Sequence, residues 1–132
     1  MEVFSRVDAE RGLLVVSYSG DFSLAEAEST FLDLLDTLVE HKLDRVLVDG
    51  RQLAGHPEML ERFYYGAFVA AAVNRTVECA KCAVPTFAYV LEHPMLDPNR
   101  FGETVAANRG MRVKAFANLQ QARWWLGLIG TE

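Results

Sequence analysis

The pentapeptide RVLVD, residues 45–49, constrains the fold most. Between its charged ends it is apolar at every position. A strand with one face in water alternates polar and apolar residues; a short run without alternation reads as a strand covered on both faces. A layered α/β architecture meets that requirement, and the neighbouring sequence supplies its parts.

Residues 3–7 and 13–19 are short β-prone runs joined by DAERG, in which Gly12 can take the positive φ of a tight turn. They read as a hairpin. Ser23 and Glu26 form a capping box, and Leu24, Ala27, Phe31, Leu34, Leu35 and Leu38 recur at helical spacing behind it. A second helix is predicted over residues 57–76, with Pro57 in its first turn. AVPTFAYV is the next strand, and Pro85 suits its end or an edge. Asp97 and Pro98 read as N-cap and first residue of a third helix closed by Gly110. MRVKAF is the last strand, and Asn118 caps a final helix, LQQARWWLG. The order is ββαβαβαβα: one α/β domain with a mostly parallel central sheet after an N-terminal hairpin.

Of the 132 residues, 51% are hydrophobic, enough for a core without disulfide or metal staples. The net charge of −5 argues against a nucleic-acid binder, which needs a Lys/Arg-rich face; Arg109, Arg112 and Lys114 are the nearest approach to one. The longest apolar stretch, FYYGAFVAAAV, falls short of the ~18 residues of a membrane span, and the first residues, MEVFSRVDAE, do not read as a secretory leader. The expectation is a soluble, cytoplasmic protein. No dinucleotide, Walker, zincin or nucleophile-elbow motif is present, so neither an enzyme nor a cofactor is expected.

The polar candidates lie around the strand just described. Asp49 ends it beside Arg51, in a loop containing Gly50 and Gly55. The two charged groups are either a polar pair at a ligand mouth or an Asp that shapes the loop with a solvated Arg next to it. His56 precedes Pro57 at the helix start; it is a lone histidine, and a general base needs an orienting partner. Asn108 lies seven residues after Phe101 and three after Val105, which places it on their core-facing stripe. There it ties down the helix end or, with Arg109, joins the Asp49 loop in a polar-ligand site. Cys79 and Cys82 form a C-x-x-C pair, but a redox pair opens a helix, whereas this one follows a helix and precedes a strand. His41, His56 and His93 are not at metal-site spacing, so no metal is expected.

The second helix is apolar nearly all round. Leu60, Phe63, Tyr64, Ala67, Ala70 and Ala71 make one stripe, expected to pack on the sheet. Tyr65, Phe68, Val69 and Ala72 then form an apolar far face, to be covered by neighbouring helices, a partner or an apolar ligand. Trp124 of WWLGLIG falls off the stripe of Leu119, Ala122 and Leu126. Two surplus apolar surfaces on a small domain lead to an expected homodimer with Tyr65 and Phe68 near its centre.

Two blocks carry a resemblance: RVLVDGRQLAGHPEMLERFYYG and FGETVAANRGMRVKAFANLQQARWWL. With the element order, they resemble the STAS superfamily of anti-sigma-factor antagonists, in its sporulation stage II AA-like branch, which touches the CRAL-TRIO lipid-binding fold. The resemblance implies a STAS-like layered fold and a role in regulation by protein contact. Antagonists of that family carry a phosphorylated serine at the start of the helix after this strand. Here the corresponding text is GHPEML, and no Ser or Thr occurs from residue 50 to residue 75. Two functional classes remain: a non-enzymatic interaction module, or a carrier of a small apolar or lipid-like ligand between helix and sheet.

Overall fold

In the computed structural model, which describes residues 1–128, five strands form one sheet in the order of the chain. β1 (Glu2–Asp8) and β2 (Leu13–Asp21) pair antiparallel around a single 3-10 turn, with Gly12 at φ +61. β3 (Arg45–Ala54), β4 (Thr86–Val90) and β5 (Arg112–Phe116) then add in parallel. Three crossover helices join them: α1 (Leu24–Glu40), α2 (Met59–Ala80) and α3 (Phe101–Asn108); α4 (Leu119–Trp125) follows β5.

Each crossover steps to the next strand in the same direction. Right-handed crossovers that all step one way must lie on one side of the sheet. Strand alternation agrees. Leu14, Val16, Val46, Val48 and Phe87 point to the face where Phe31, Leu34 and Leu35 of α1 and Val69 and Val73 of α2 pack. Leu13, Leu47, Ala88 and Val90 point the other way, against Ala122, Leu126 and Leu128. The central run is thus covered on both faces, as its lack of alternation requires. On the second face, among the described helices, only α4 packs, against β4 and β5, followed by Leu128, and β1 is exposed along nearly all its length.

Several boundaries differ from the sequence reading. β3 does not stop at Asp49. After an irregularity between Ser17 and Ser19, β2 goes on pairing with it through Gln52, Leu53 and Ala54. Gly50 is therefore a buried strand residue, not a loop glycine; a Cβ there would stand 2.6 Å from the Leu91 side chain. Gly55, at φ +127, makes the turn. α2 begins at Met59 because Glu58 and Glu61 form its capping box, leaving Pro57 buried ahead of it. α3 begins at Phe101, after Arg100 in the left-handed region.

Candidate functional site

Asp49 and Arg51 do form a pair. Two residues apart on one strand, they share a face. The guanidinium donates from Nε and Nη2 to the carboxylate at 2.9 and 2.8 Å, and the Arg51 amide donates to the same carboxylate at 3.1 Å. The Arg51 side-chain bond holds the Asp49 carboxyl below the usual range, against some burial. Both groups are occupied with each other. His56 is exposed.

Asn108 and Arg109 lie elsewhere. The chain after α3 enters β5 at Arg112, which stands level with Thr86 and Arg45, at the start of the parallel strands. Asp49 pairs with Val90 at their far end. The expected union of Asn108 and Arg109 with the Asp49 loop is therefore wrong. Asn108 is exposed, because the buried residues of α3 are Val105 and Ala106, with half-buried Gly102 on the same side, about a third of a turn away. Arg109 stacks over Phe63 at 5.6 Å and donates to the Val105 carbonyl at 3.2 Å. Cys79 and Cys82 are free thiols, Cys79 in the last turn of α2.

Ala70 is buried in the core as expected, but the first turns of α2 present the reverse of the expected faces. Val69 is 2% exposed, and Tyr65 and Phe68 pack against the main core, so they are not a free interaction surface. Met59, Leu60 and Tyr64, with Leu60 and Tyr64 assigned to the sheet from the sequence, are 69%, 64% and 52% exposed. Glycine decides the rotation of the helix. A Cβ on Gly66 would sit 2.5 Å from the Gly102 carbonyl oxygen, so the α2 and α3 backbones meet at this pair. That contact turns residues 65, 66 and 69 inward. A glycine in mid-helix was the signal that the sequence offered.

Beneath α2 lies a feature that sequence reasoning did not find: a cavity of about 130 Å³. Val48, Tyr89 and Val113 of the sheet form one side, and Tyr65, Val69 and Ala106 of the helices another. It lies at the carboxyl-terminal half of the parallel strands, where open α/β sheets commonly take ligands. Its surface is mostly apolar, with Glu61, Arg62, Asp97, Arg100 and Glu103 also lining it and three tyrosines, Tyr18, Tyr65 and Tyr89, in its wall. The hydroxyls of Tyr65 and Tyr89 are 2.7 Å apart and hydrogen-bonded. Tyr18 is 4% exposed, and its hydroxyl oxygen is closed off from solvent. A hydrogen bond with the Thr30 side chain works against that burial, and Thr30, which donates to the Ala27 carbonyl at 3.1 Å, keeps lone pairs free to accept from the phenol. Burial raises the pKa of all three phenols, so they are neutral donors at ordinary pH. Over the cavity passes the chain from Leu91 to Arg100, tied to α2 by Arg62, which donates to the carbonyls of Pro94 and Met95 at 2.9 and 2.8 Å.

Among the described residues, no group of three or more His, Cys, Asp or Glu is arranged to hold a metal, and no helix is long and apolar enough to cross a membrane. No family model and no curated protein matches the sequence. Among solved structures, the chain is similar to an anti-sigma factor antagonist from Mycobacterium paratuberculosis, at 16% identity and a TM-score of 0.54, over 96% of this chain and 95% of that one. At that identity the likeness shows the fold, a STAS-like one running nearly the length of the chain.

Proposed function

We propose that the protein is a non-catalytic regulatory module that works by binding another protein, with the start of α2 as its contact surface. The observation that carries this reading is the cluster of Met59, Leu60 and Tyr64, exposed at the beginning of the helix that follows the central strand. Leu60 and Tyr64 lie four residues apart on one face, and Phe63 stands against Tyr64 with ring centroids 5.6 Å apart. Exposed aromatic and aliphatic side chains grouped in this way are typical of partner surfaces. The similar structure is an antagonist of an anti-sigma factor, itself a protein, which favours a protein as the occupant. Without Ser or Thr from residue 50 to residue 75, binding here would not be switched by a phosphate on this helix start. A photo-cross-linking residue placed at Tyr64 in the host cell should capture one defined protein. The same residue at Leu32, 43% exposed on α1, should not, and Leu60→Asp should abolish the capture. Equal capture at both positions, or capture that survives Leu60→Asp, rules the surface out.

The cavity favours a second reading, in which the protein carries a small apolar ligand. Native mass spectrometry of protein taken from its host tests it: a co-purifying small molecule supports a carrier, and bare chain in every preparation opposes it.

A further inference from the structure

The two edges of the sheet are treated differently. β5, at one edge, is short and carries Arg112 and Lys114. Its outer backbone is also capped from the start of α3: the Ala115 amide donates to Glu103 Oε1 at 3.2 Å, and the Ala115 carbonyl accepts from Arg100. Short length, cations and covering side chains are common means of keeping an edge from pairing with another chain. β1, at the other edge, has no such cover. It pairs with β2 over all 7 of its residues without a bulge and contains neither Pro nor Lys. Among the described residues, no side chain hydrogen-bonds to its outer backbone, and Val3, Phe4 and Val7 are exposed on it. A regular, uncovered edge of this kind is a template for a further strand.

The charges on β1 select the strand. Glu2, Phe4 and Arg6 point to the second face of the sheet, level with Ser19, Ser17 and Val15 of β2. The described helix on that face, α4, packs on β4 and β5 instead. A second β1 can lie antiparallel to the first about a two-fold axis normal to the sheet. The same face then stays on the same side in both copies, and the axis passes through one residue. Centred on Ser5, Glu2 meets the partner's Asp8 at both ends, like charge against like. Centred on Arg6, two guanidiniums meet; centred on Val3, Arg6 runs past the start of the partner strand. Centred on Phe4, Glu2 stands opposite the partner's Arg6 at both ends, and the two Phe4 rings meet on the axis. Directly opposed aromatic pairs and opposite charges favour pairing, and like charges oppose it. We propose that the protein forms a homodimer by antiparallel pairing of β1 with β1 of a second copy, in the register centred on Phe4. The two sheets then run on as one, with α1, α2 and α3 of both copies on the same side.

Charge reversal on the full chain tests both the edge and the register. Sedimentation velocity across about 1 to 300 μM should show a reversible wild-type dimer. Glu2→Arg and Arg6→Glu each turn both cross-strand pairs into like charges and should weaken the dimer at least about tenfold. Both positions are exposed, so thermal melts at low concentration should not move. An equimolar mixture of the two variants should associate again, because every pair between them is of opposite charge, and the double variant Glu2→Arg/Arg6→Glu should dimerise like wild type. If a single variant does not fold, Phe4→Lys serves: it sets two cations on the axis and should leave a folded monomer. A wild-type chain still monomeric at about 300 μM overturns the proposal. So does a dimer that survives Glu2→Arg, Arg6→Glu or Phe4→Lys. Weakening in both single variants without recovery on mixing overturns the register, and with it the proposal. A dimer lost in Leu60→Asp but kept in the β1 variants would belong to α2 and overturns it as well.

Discussion

The carboxylate of Asp97 accepts amide hydrogens from Asn99 at 3.1 Å and from Phe101 at 2.8 Å. Helix starts leave amides unpaired, and an aspartate nearby is a common remedy. The sequence identified the residue but put the helix boundary at Asp97 and Pro98. The chain instead makes one more turn, and Arg100 enters the left-handed region before α3 begins. Local propensity identifies which group caps; the number of residues between cap and helix is set by packing of the segment over the cavity. The Phe101 amide bond lowers the Asp97 pKa. Asp97→Ala should therefore lower stability by about 1 kcal/mol at neutral pH. The sign follows from the depressed value. The contribution is complete above the ordinary carboxylate pKa of about 4 and is lost as pH falls through the lower folded value. Urea titrations of both proteins should show the gap at pH 7 and its closure as pH falls below the ordinary carboxylate range; a gap independent of pH would mean that the loss is one of packing.

The element least legible from the sequence is α2. Its existence followed from helical spacing and length, but its rotation did not, because both faces are apolar and periodicity ranks faces only by contrast. The inward face is set by small residues: Gly66 against Gly102, with Ala70 and Ala72 buried along the same helix. The sequence stripe had Ala70 on the right side but also took in Leu60 and Tyr64, which are exposed. The same inversion moved the expected dimer contact into the core, since Tyr65 and Phe68 pack on the main cluster. Asn108 failed for a related reason, a stripe drawn through Phe101 rather than Gly102. Ile129 and Gly130, part of the second apolar surface expected near Trp124, lie outside the described residues. Opposite outcomes are therefore expected from one substitution made on each face. Phe68→Asp should destabilise the fold by ~3 kcal/mol or more, since it removes a packed ring and adds an unpaired charge. Leu60→Asp should change stability by less than about 0.5 kcal/mol, as for other surface sites. Thermal melts of the two variants decide the matter; a well-folded Phe68→Asp with an unfolded Leu60→Asp would restore the sequence-based rotation.

For the whole molecule, the order of elements and the parallel sheet were legible because each strand and each crossover carries its own signal, and handedness does the rest. The cavity was not legible, since it is made by side chains distant in sequence, from Tyr18 to Val113. One consequence of the one-sided winding concerns stability across the sheet. β3 has helices on one face and α4 with the chain after it on the other, and Val46, Leu47 and Val48 are at most 3% exposed. Among the described strands β1 lies at the edge and pairs only with β2, and Phe4 on it is 73% exposed. Opening β1 breaks backbone bonds but uncovers little apolar surface, whereas opening β3 dismantles both clusters. Local opening free energies follow the apolar contacts that opening breaks. Hydrogen exchange should accordingly find the β1 amides that donate to β2 exchanging at least about tenfold faster than those of Val46, Leu47 and Val48, a difference of about 1.4 kcal/mol or more. The comparison is best made at low protein concentration and repeated at high. Equal protection at both concentrations would mean that β1 opens only with the whole fold. Protection of β1 that rises with concentration would mean that a second copy covers the edge, and would move any self-association from the inner face of α2, where the sequence put it, to the exposed side of the sheet.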